Sequence, residues 1–181
     1  MQTADTKKYW IDWQAEYIPT EIYSARIKRE FQKQKIVVGR LTKNIQACLD
    51  ENKFFVGKST IIFDSKLDLK VLLAILNSSF ANRWYFLKFE TTHMSGGYIR
   101  YDIPYLEQLP IPVMSNLNKL KLVNKVNEIL KLINLNINSS NLQQEINNMV
   151  YKLYNLTFDV VTLIDPEFYL TEAEYSLVTV E

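Results

Sequence analysis

The sequence is short of the residues from which many active sites are built. Of its 181 residues, one is cysteine, Cys48, and one is histidine, His93. A single thiol excludes an internal disulfide and a disulfide scaffold. A single imidazole excludes any site that needs two histidines. Glycine is scarce, at four residues. Gly96-Gly97 is an isolated pair without the spacing or the Lys-Ser/Thr of a phosphate loop. There is no G-x-S-x-G elbow. No run is apolar enough for a membrane-spanning helix, and the opening MQTADTKKYW has no signal-peptide core. A cytoplasmic location is the expectation. The net charge of +1 excludes a global pull towards nucleic acid or an anionic membrane.

What is present fits a folded protein. Hydrophobic residues make up 48% and charged residues 23%, the balance of a globular chain rather than a disordered or collagen-like one. The length suits one domain, or one with a small appendage. The near-zero net charge conceals an asymmetry. Residues 26–60 carry a net +6, and residues 157–181 carry −6 with no Lys or Arg. A polyanion would feel the local field, not the total. A solvated basic face with a solubilising acidic tail accounts for the same pattern.

Periodicity divides the chain. Tyr9–Trp13 alternates as a short strand, and Glu21–Gln32 is a helix with Ile22, Ala25, Ile27 and Phe31 as its apolar positions. Lys35–Leu41, Ile45–Leu49 and Phe54–Phe63 read as strands, with a turn at Asp50–Lys53. Leu67 to Lys88 follows one helical period. Residues 91–112 hold two of the four glycines and three of the five prolines, which predicts an extended connection. It carries Tyr98, Ile99, Tyr101, Ile103, Tyr105 and Leu106, too much apolar payload for disorder. Two amphipathic helices follow. The first runs from Leu117 to Leu135. The second opens on a Ser140/Gln143 capping box, runs through Leu156 and packs antiparallel to the first. Thr171 with Glu174 caps a short terminal helix. The predicted fold is therefore mixed α+β. It has a first region over 1–112, β-rich to 66 with a helix and loop over 67–112, and a helical hairpin with an acidic tail over 113–181, all in one structural unit.

Candidate chemistry is thin. Cys48 with His93 could pair as nucleophile and base, but IQACL around Cys48 reads as a buried strand. Asp64-Ser65-Lys66, with Asp50 and Glu51 nearby, resembles the acidic-x-Lys pattern of Mg²⁺-dependent nucleases. Asp64 serves equally as a helix N-terminal acid. The loop around Gly96-Gly97 offers hydroxyls, a histidine, an arginine and aromatics that could approach base edges, or that could simply pack.

The order of segments carries a resemblance. KIVVGR (Lys35–Arg40), LLAILNSSFANRWYF (Leu72–Phe86), GGYIRYDIPYLEQLPIP (Gly96–Pro112) and a long helix follow one another, and VYKLYNL (Val150–Leu156) closes the series. This order resembles the TaqI-like C-terminal specificity domain of type II restriction-modification enzymes, and half of a type I specificity subunit. The resemblance spans about Tyr9 to Glu174. Its most specific pieces are Leu76-Asn77-Ser78 and Leu109-Pro110-Ile111-Pro112, both read as structural.

The resemblance implies recognition of double-stranded DNA on behalf of an adenine-N6 methyltransferase or endonuclease domain. Neither the glycine-rich cofactor motif nor the Asn-Pro-Pro-Tyr motif of such a methyltransferase is in this chain. S-adenosylmethionine and Mg²⁺ are accordingly expected in the parent enzyme and not here. By position, Lys28, Arg29, Lys33, Lys35, Arg40, Lys43 and Lys58 would hold phosphates. Thr92, His93, Ser95, Tyr98 and Arg100 would approach bases. The competing expectations are a helical protein-interaction module and a nuclease site at Asp50, Asp64 and Lys66.

Overall fold

The structure is a computed structural model and describes residues 5–12, 19–51, 56–57, 60–62 and 66–180. Trp13, Phe54, Phe55, Lys58, Phe63 and Asp64 lie outside the described residues.

The fold is a helix-rich α+β arrangement with two small antiparallel sheets. The chain enters through a tight turn rather than a strand. Thr6 bridges to Ile11, and Tyr9 takes a left-handed φ of 68°. The expected helix over Glu21–Gln32 is shorter. A 3₁₀ turn at Thr20–Ile22 precedes α1 (Ala25–Phe31), and Ser24 caps α1 by accepting from the Ile27 amide. No residue of α1 is buried, and Ile22 is 72% exposed.

Next come β1 (Lys35–Val38), β2 (Leu41–Thr42), β3 (Ala47–Asp50) and β4 (Thr60–Ile62). Of the strong strand signal at Phe54–Phe63, the described residues are Val56 and Gly57, which lie outside any strand, and β4. The main sheet has the order β3-β1-β4, with Ile36 opposite Leu49 and Val37 opposite Cys48. Side chains alternate across a sheet, and here both faces are covered. Ile36, Val38, Ala47 and Leu49 enter the main core, while Val37 and Cys48 join Val56, Ile11 and Phe31 in a smaller one. The second sheet pairs β2 with β5 (Ile99–Arg100).

The predicted single helix over Leu67–Lys88 is two helices, α2 (Leu69–Leu76) and α3 (Ser79–Lys88). Apolar spacing continues across the break, so periodicity alone does not reveal it. Two polar residues make the break. Ser78 is extended (ψ 153°) and caps α3 by accepting from the Ala81 amide at 3.2 Å. Asn77 caps α2 and turns its side chain onto β3. Its Oδ1 accepts from the Ala47 amide at 3.0 Å, and its Nδ2 donates to the Ala47 carbonyl at 2.9 Å. Asn82 adds a contact, accepting from the Ile45 amide at 2.5 Å. β3 is an edge strand of its sheet. These amides occupy the bonding positions that another strand would fill.

The expected extended connection over 91–112 is more structured than its composition suggests. It holds 3₁₀ turns at Glu90–Thr92 and Ser95–Gly97, strand β5, and the one-turn helix α4 (Ile103–Leu106). The hairpin is α5 (Asn116–Asn134) and α6 (Ser140–Leu153), and α5 buries Leu122, Val126 and Ile129. Lys70 on α2 donates to Asn127 at 2.7 Å, and Lys125 pairs with Glu145 across the hairpin. The α6 cap is Ser139, one residue before the expected Ser140, and Gln143 donates to the Ser139 hydroxyl. The helix stops at Leu153 and not Leu156, because Asn155 takes a left-handed φ of 55°. Helix α7 (Phe158–Ile164) was not expected, whereas the Thr171/Glu174 capping box of α8 (Glu172–Leu177) is formed.

Replacing Asn77 with Ala strands the buried Ala47 amide and leaves the Ala47 carbonyl to the Tyr9 amide alone. The expected cost is about 1–3 kcal/mol of folding stability. It will appear as a lower urea midpoint with an unchanged slope. An unchanged midpoint would show that the β3 edge does not depend on this side chain.

Candidate functional site

Lys35 corrects the expected phosphate contacts. It is 0% exposed on β1, directly opposite Asp50 on β3, which is also 0% exposed. The ammonium lies 2.5 Å from Asp50 Oδ2 and donates to the Phe31 carbonyl at 2.7 Å. A charge in that position serves the fold and cannot reach a ligand. The same pair removes Asp50 from the nuclease reading. Lys66 is exposed and Asp64 lies outside the described residues. Among the described residues, no three His, Cys, Asp or Glu side chains gather as a metal site.

Thr92 is a second correction. It is 1% exposed, and its hydroxyl donates to the Phe89 carbonyl at 2.7 Å. His93 is half-buried, its ring stacked on Phe86 at 4.5 Å and its Nε2 3.0 Å from the Phe86 carbonyl. Cys48 is fully buried, 3.7 Å from the Val37 carbonyl, and burial pushes its thiol up to about 12. Cys48 and His93 therefore belong to separate packed environments and form no dyad.

The remaining predicted residues divide into two groups. Arg29 and Lys33 are exposed and Lys28 is half-buried, on or just after α1, with Lys33 paired to Glu30 at 2.8 Å. Arg40, Lys43, Tyr98 and Arg100 come together elsewhere. They line an open cleft of about 880 Å³ with Lys7, Leu41, Asn44, Gln46 and Met94. Ser95 is exposed in the neighbouring 3₁₀ turn. Four of the cleft's side chains are cationic. Its floor is the β2–β5 ladder, in which Leu41 faces Arg100 and Thr42 faces Ile99.

Local bonding explains why these residues converge. Gly96 and Gly97 both take left-handed φ values, 76° and 77°, which side-chain-bearing residues rarely adopt. The turn they make returns the chain so that the Met94 amide donates to the Tyr98 carbonyl at 2.7 Å. Tyr98 is left exposed, with the Lys43 ammonium 6.0 Å from its ring centre. Beneath, the Tyr85 hydroxyl donates to the Arg100 carbonyl at 2.8 Å, and burial pushes that phenol up to about 12. The Tyr101 amide donates to the Arg40 carbonyl at 2.8 Å. The backbones of both arginines are thus tied to the core.

Asp102 was not anticipated. Its Oδ1 accepts from Arg40 Nε at 2.7 Å, and its Oδ2 lies 3.1 Å from Arg100 Nε. Asn44 and Gln46 were also missed. Their signal was the turn between two strands, which places polar side chains at the mouth of a sheet. Asp102 left a weaker signal, an acid two residues after Arg100 in a segment of alternating polarity.

A family model described as the TaqI-like C-terminal specificity domain matches residues 1–111. The match is shorter than the resemblance drawn from segment order and ends before α5. No curated protein matches the chain.

The burial of Cys48 has a direct consequence. With its thiol pushed far above neutral pH, the reactive thiolate is scarce at pH 8. Ellman's reagent should leave the native chain unlabelled over minutes and titrate one thiol in denaturant. Rapid labelling of the folded chain would contradict this burial.

Proposed function

The chain belongs to the family of TaqI-like C-terminal specificity domains, DNA-sequence recognition modules of restriction-modification enzymes, and from that premise we propose how it engages a duplex. The carrying observation is the cleft that brings Arg40, Lys43, Tyr98 and Arg100 together. Lys7, Arg40 and Lys43 are point charges or forks suited to phosphate oxygens. Arg100, Tyr98, Asn44 and Gln46 carry the donors, acceptors and aromatic face that reading a base edge requires. Arg29 and Lys33 offer further exposed cations at α1, and Ser95 stands in the turn next to the cleft residue Met94.

In this reading the chain positions double-stranded DNA for an adenine-N6 methyltransferase or endonuclease domain of the same protein, outside this chain. S-adenosylmethionine and Mg²⁺ belong to that parent, and this chain carries no catalytic residue. The setting is cytoplasmic. Among the described residues, no helix is long and apolar enough to cross a membrane. The exposed Leu117, Leu120 and Leu135 of the hairpin support a contact with the catalytic domain.

The test is a fluorescence titration of a labelled mixed-sequence duplex between 50 and 200 mM salt. Binding should weaken linearly in log–log form, by about 0.9 in slope per phosphate engaged. Arg40→Gln and Lys43→Gln should each weaken binding to every duplex and flatten that slope. Absence of binding, or a slope unmoved by both changes, would refute the assignment.

A further inference from the structure

The cleft contains a feature that its positive charge does not explain. A surface built only to attract phosphate would keep carboxylates away. Asp102 nonetheless stands between its two arginines, 22% exposed, while the arginine side chains are each 47% exposed. It is not among the residues that line the cleft. It touches each guanidinium at Nε, the inner nitrogen. Among the described residues, the terminal nitrogens of Arg40 and Arg100 form no hydrogen bond. Asp102 also stands at the N-cap of α4 but makes no side-chain capping bond there. Its carboxylate is committed to the arginines rather than to the helix.

We propose that Asp102 is a positioning residue that holds Arg100 as a fixed two-pronged donor and thereby makes the cleft select guanine. This rests on the DNA-recognition reading above and deepens it. A free arginine on a surface samples many rotamers and prefers any anion. One ion-paired at Nε to a carboxylate 3.1 Å away, with its carbonyl held by Tyr85, presents two parallel N–H groups in one direction. That fork matches the O6 and N7 acceptors on the major-groove edge of guanine. Arg40, held by the other carboxylate oxygen, is fixed beside it for a phosphate.

The test separates position from charge because only positioning predicts a loss of sequence preference. Asp102→Asn removes one negative charge from a polyanion site. If Asp102 merely moderates charge, the variant binds all duplexes more tightly and keeps its sequence preference. If Asp102 positions Arg100, the variant binds mixed-sequence duplex at least as tightly but loses guanine preference by about tenfold. The measurement is selection from a duplex library with a randomised centre, followed by titration of the enriched duplex and of its guanine-to-adenine variant. Arg100→Gln should lose the same preference, and Arg100→Gln combined with Asp102→Asn should lose no more.

A second readout needs no DNA. The Nε–H signal of Arg40, which donates to Asp102, should be resolved and slow to exchange in the intact chain, the Nε–H signal of Arg100 should be shifted by its ion pair, and both should move towards solvent values in Asp102→Asn. Preference retained in that variant, an enriched sequence without guanine, or Nε–H signals unmoved by the change overturns the positioning role. The first two leave DNA recognition standing. A library from which the unaltered chain enriches nothing overturns sequence recognition itself.

Discussion

The constraint on which the structure depends is the open edge of β3. The Ala47 amide and carbonyl point away from β1 and, among the described residues, have no strand to meet. Left bare, they would cost stability and invite pairing with another chain. Asn77 satisfies both with one primary amide, the Tyr9 amide shares the carbonyl at 2.8 Å, and Asn82 holds Ile45 two residues earlier. This requires a polar side chain at the point where α2 nears the sheet, and therefore a break in the helix. The break turns α3 and sets Tyr85 beneath Arg100. Holding Ile45 and Ala47 also fixes the turn that carries Lys43 and Asn44. The geometry of the cleft follows from how an edge strand is closed.

The hairpin belongs to the same chain of support. Val126 and Ile129 on α5 share the main core with Val71 and Ile75 on α2, and Lys70 bonds Asn127 between those helices. The Tyr154 hydroxyl, just past α6, donates to the Pro110 carbonyl at 2.5 Å. That bond anchors the Leu109–Pro112 exit where it leaves the 91–112 connection. The family match ends at residue 111, but the core does not. One cluster draws its buried residues from both sides of that limit, from Tyr9 to Leu153.

Much of this was legible in the sequence, and the failures share a cause. Helices α5 and α6 were found because their apolar residues repeat at the helical period, and strands β1 and β3 because short β-branched or apolar runs read as strands. Lys35 was misassigned because charge counting carries no information about facing. On a sheet covered on both sides, a lysine can point inward if an acid stands opposite, and Asp50 does. The helix break escaped because Leu76 and Phe80 keep helical spacing across Asn77-Ser78. The fold depends there on a side-chain-to-backbone contact 30 residues away in sequence, which no local window contains. Thr92 was chosen for its hydroxyl, but a threonine at the end of a 3₁₀ turn readily gives its hydroxyl to the carbonyl three residues earlier, here that of Phe89.

The charge asymmetry takes a different form in three dimensions. The +6 segment is not one basic face. Part of it is the exposed α1 region, part is the cleft, and one charge is buried. The acidic segment is not a free tail either. Asp165 accepts from the Tyr151 hydroxyl at 2.5 Å, and together with Glu167 it lines a polar pocket with Lys8, Lys43 and Arg83. Burial pulls the Lys8 ammonium down while Asp165 opposes that fall. Both clefts therefore set carboxylates against cations, and Lys43 borders both. A surface of cations alone would bind any duplex through counterion release and discriminate poorly. Carboxylates placed against selected cations reduce that indiscriminate term and restrict the orientation of the groups that remain. Near-zero net charge is then compatible with DNA recognition: it limits attraction to any sequence and leaves affinity to a few fixed donors on a rigid frame.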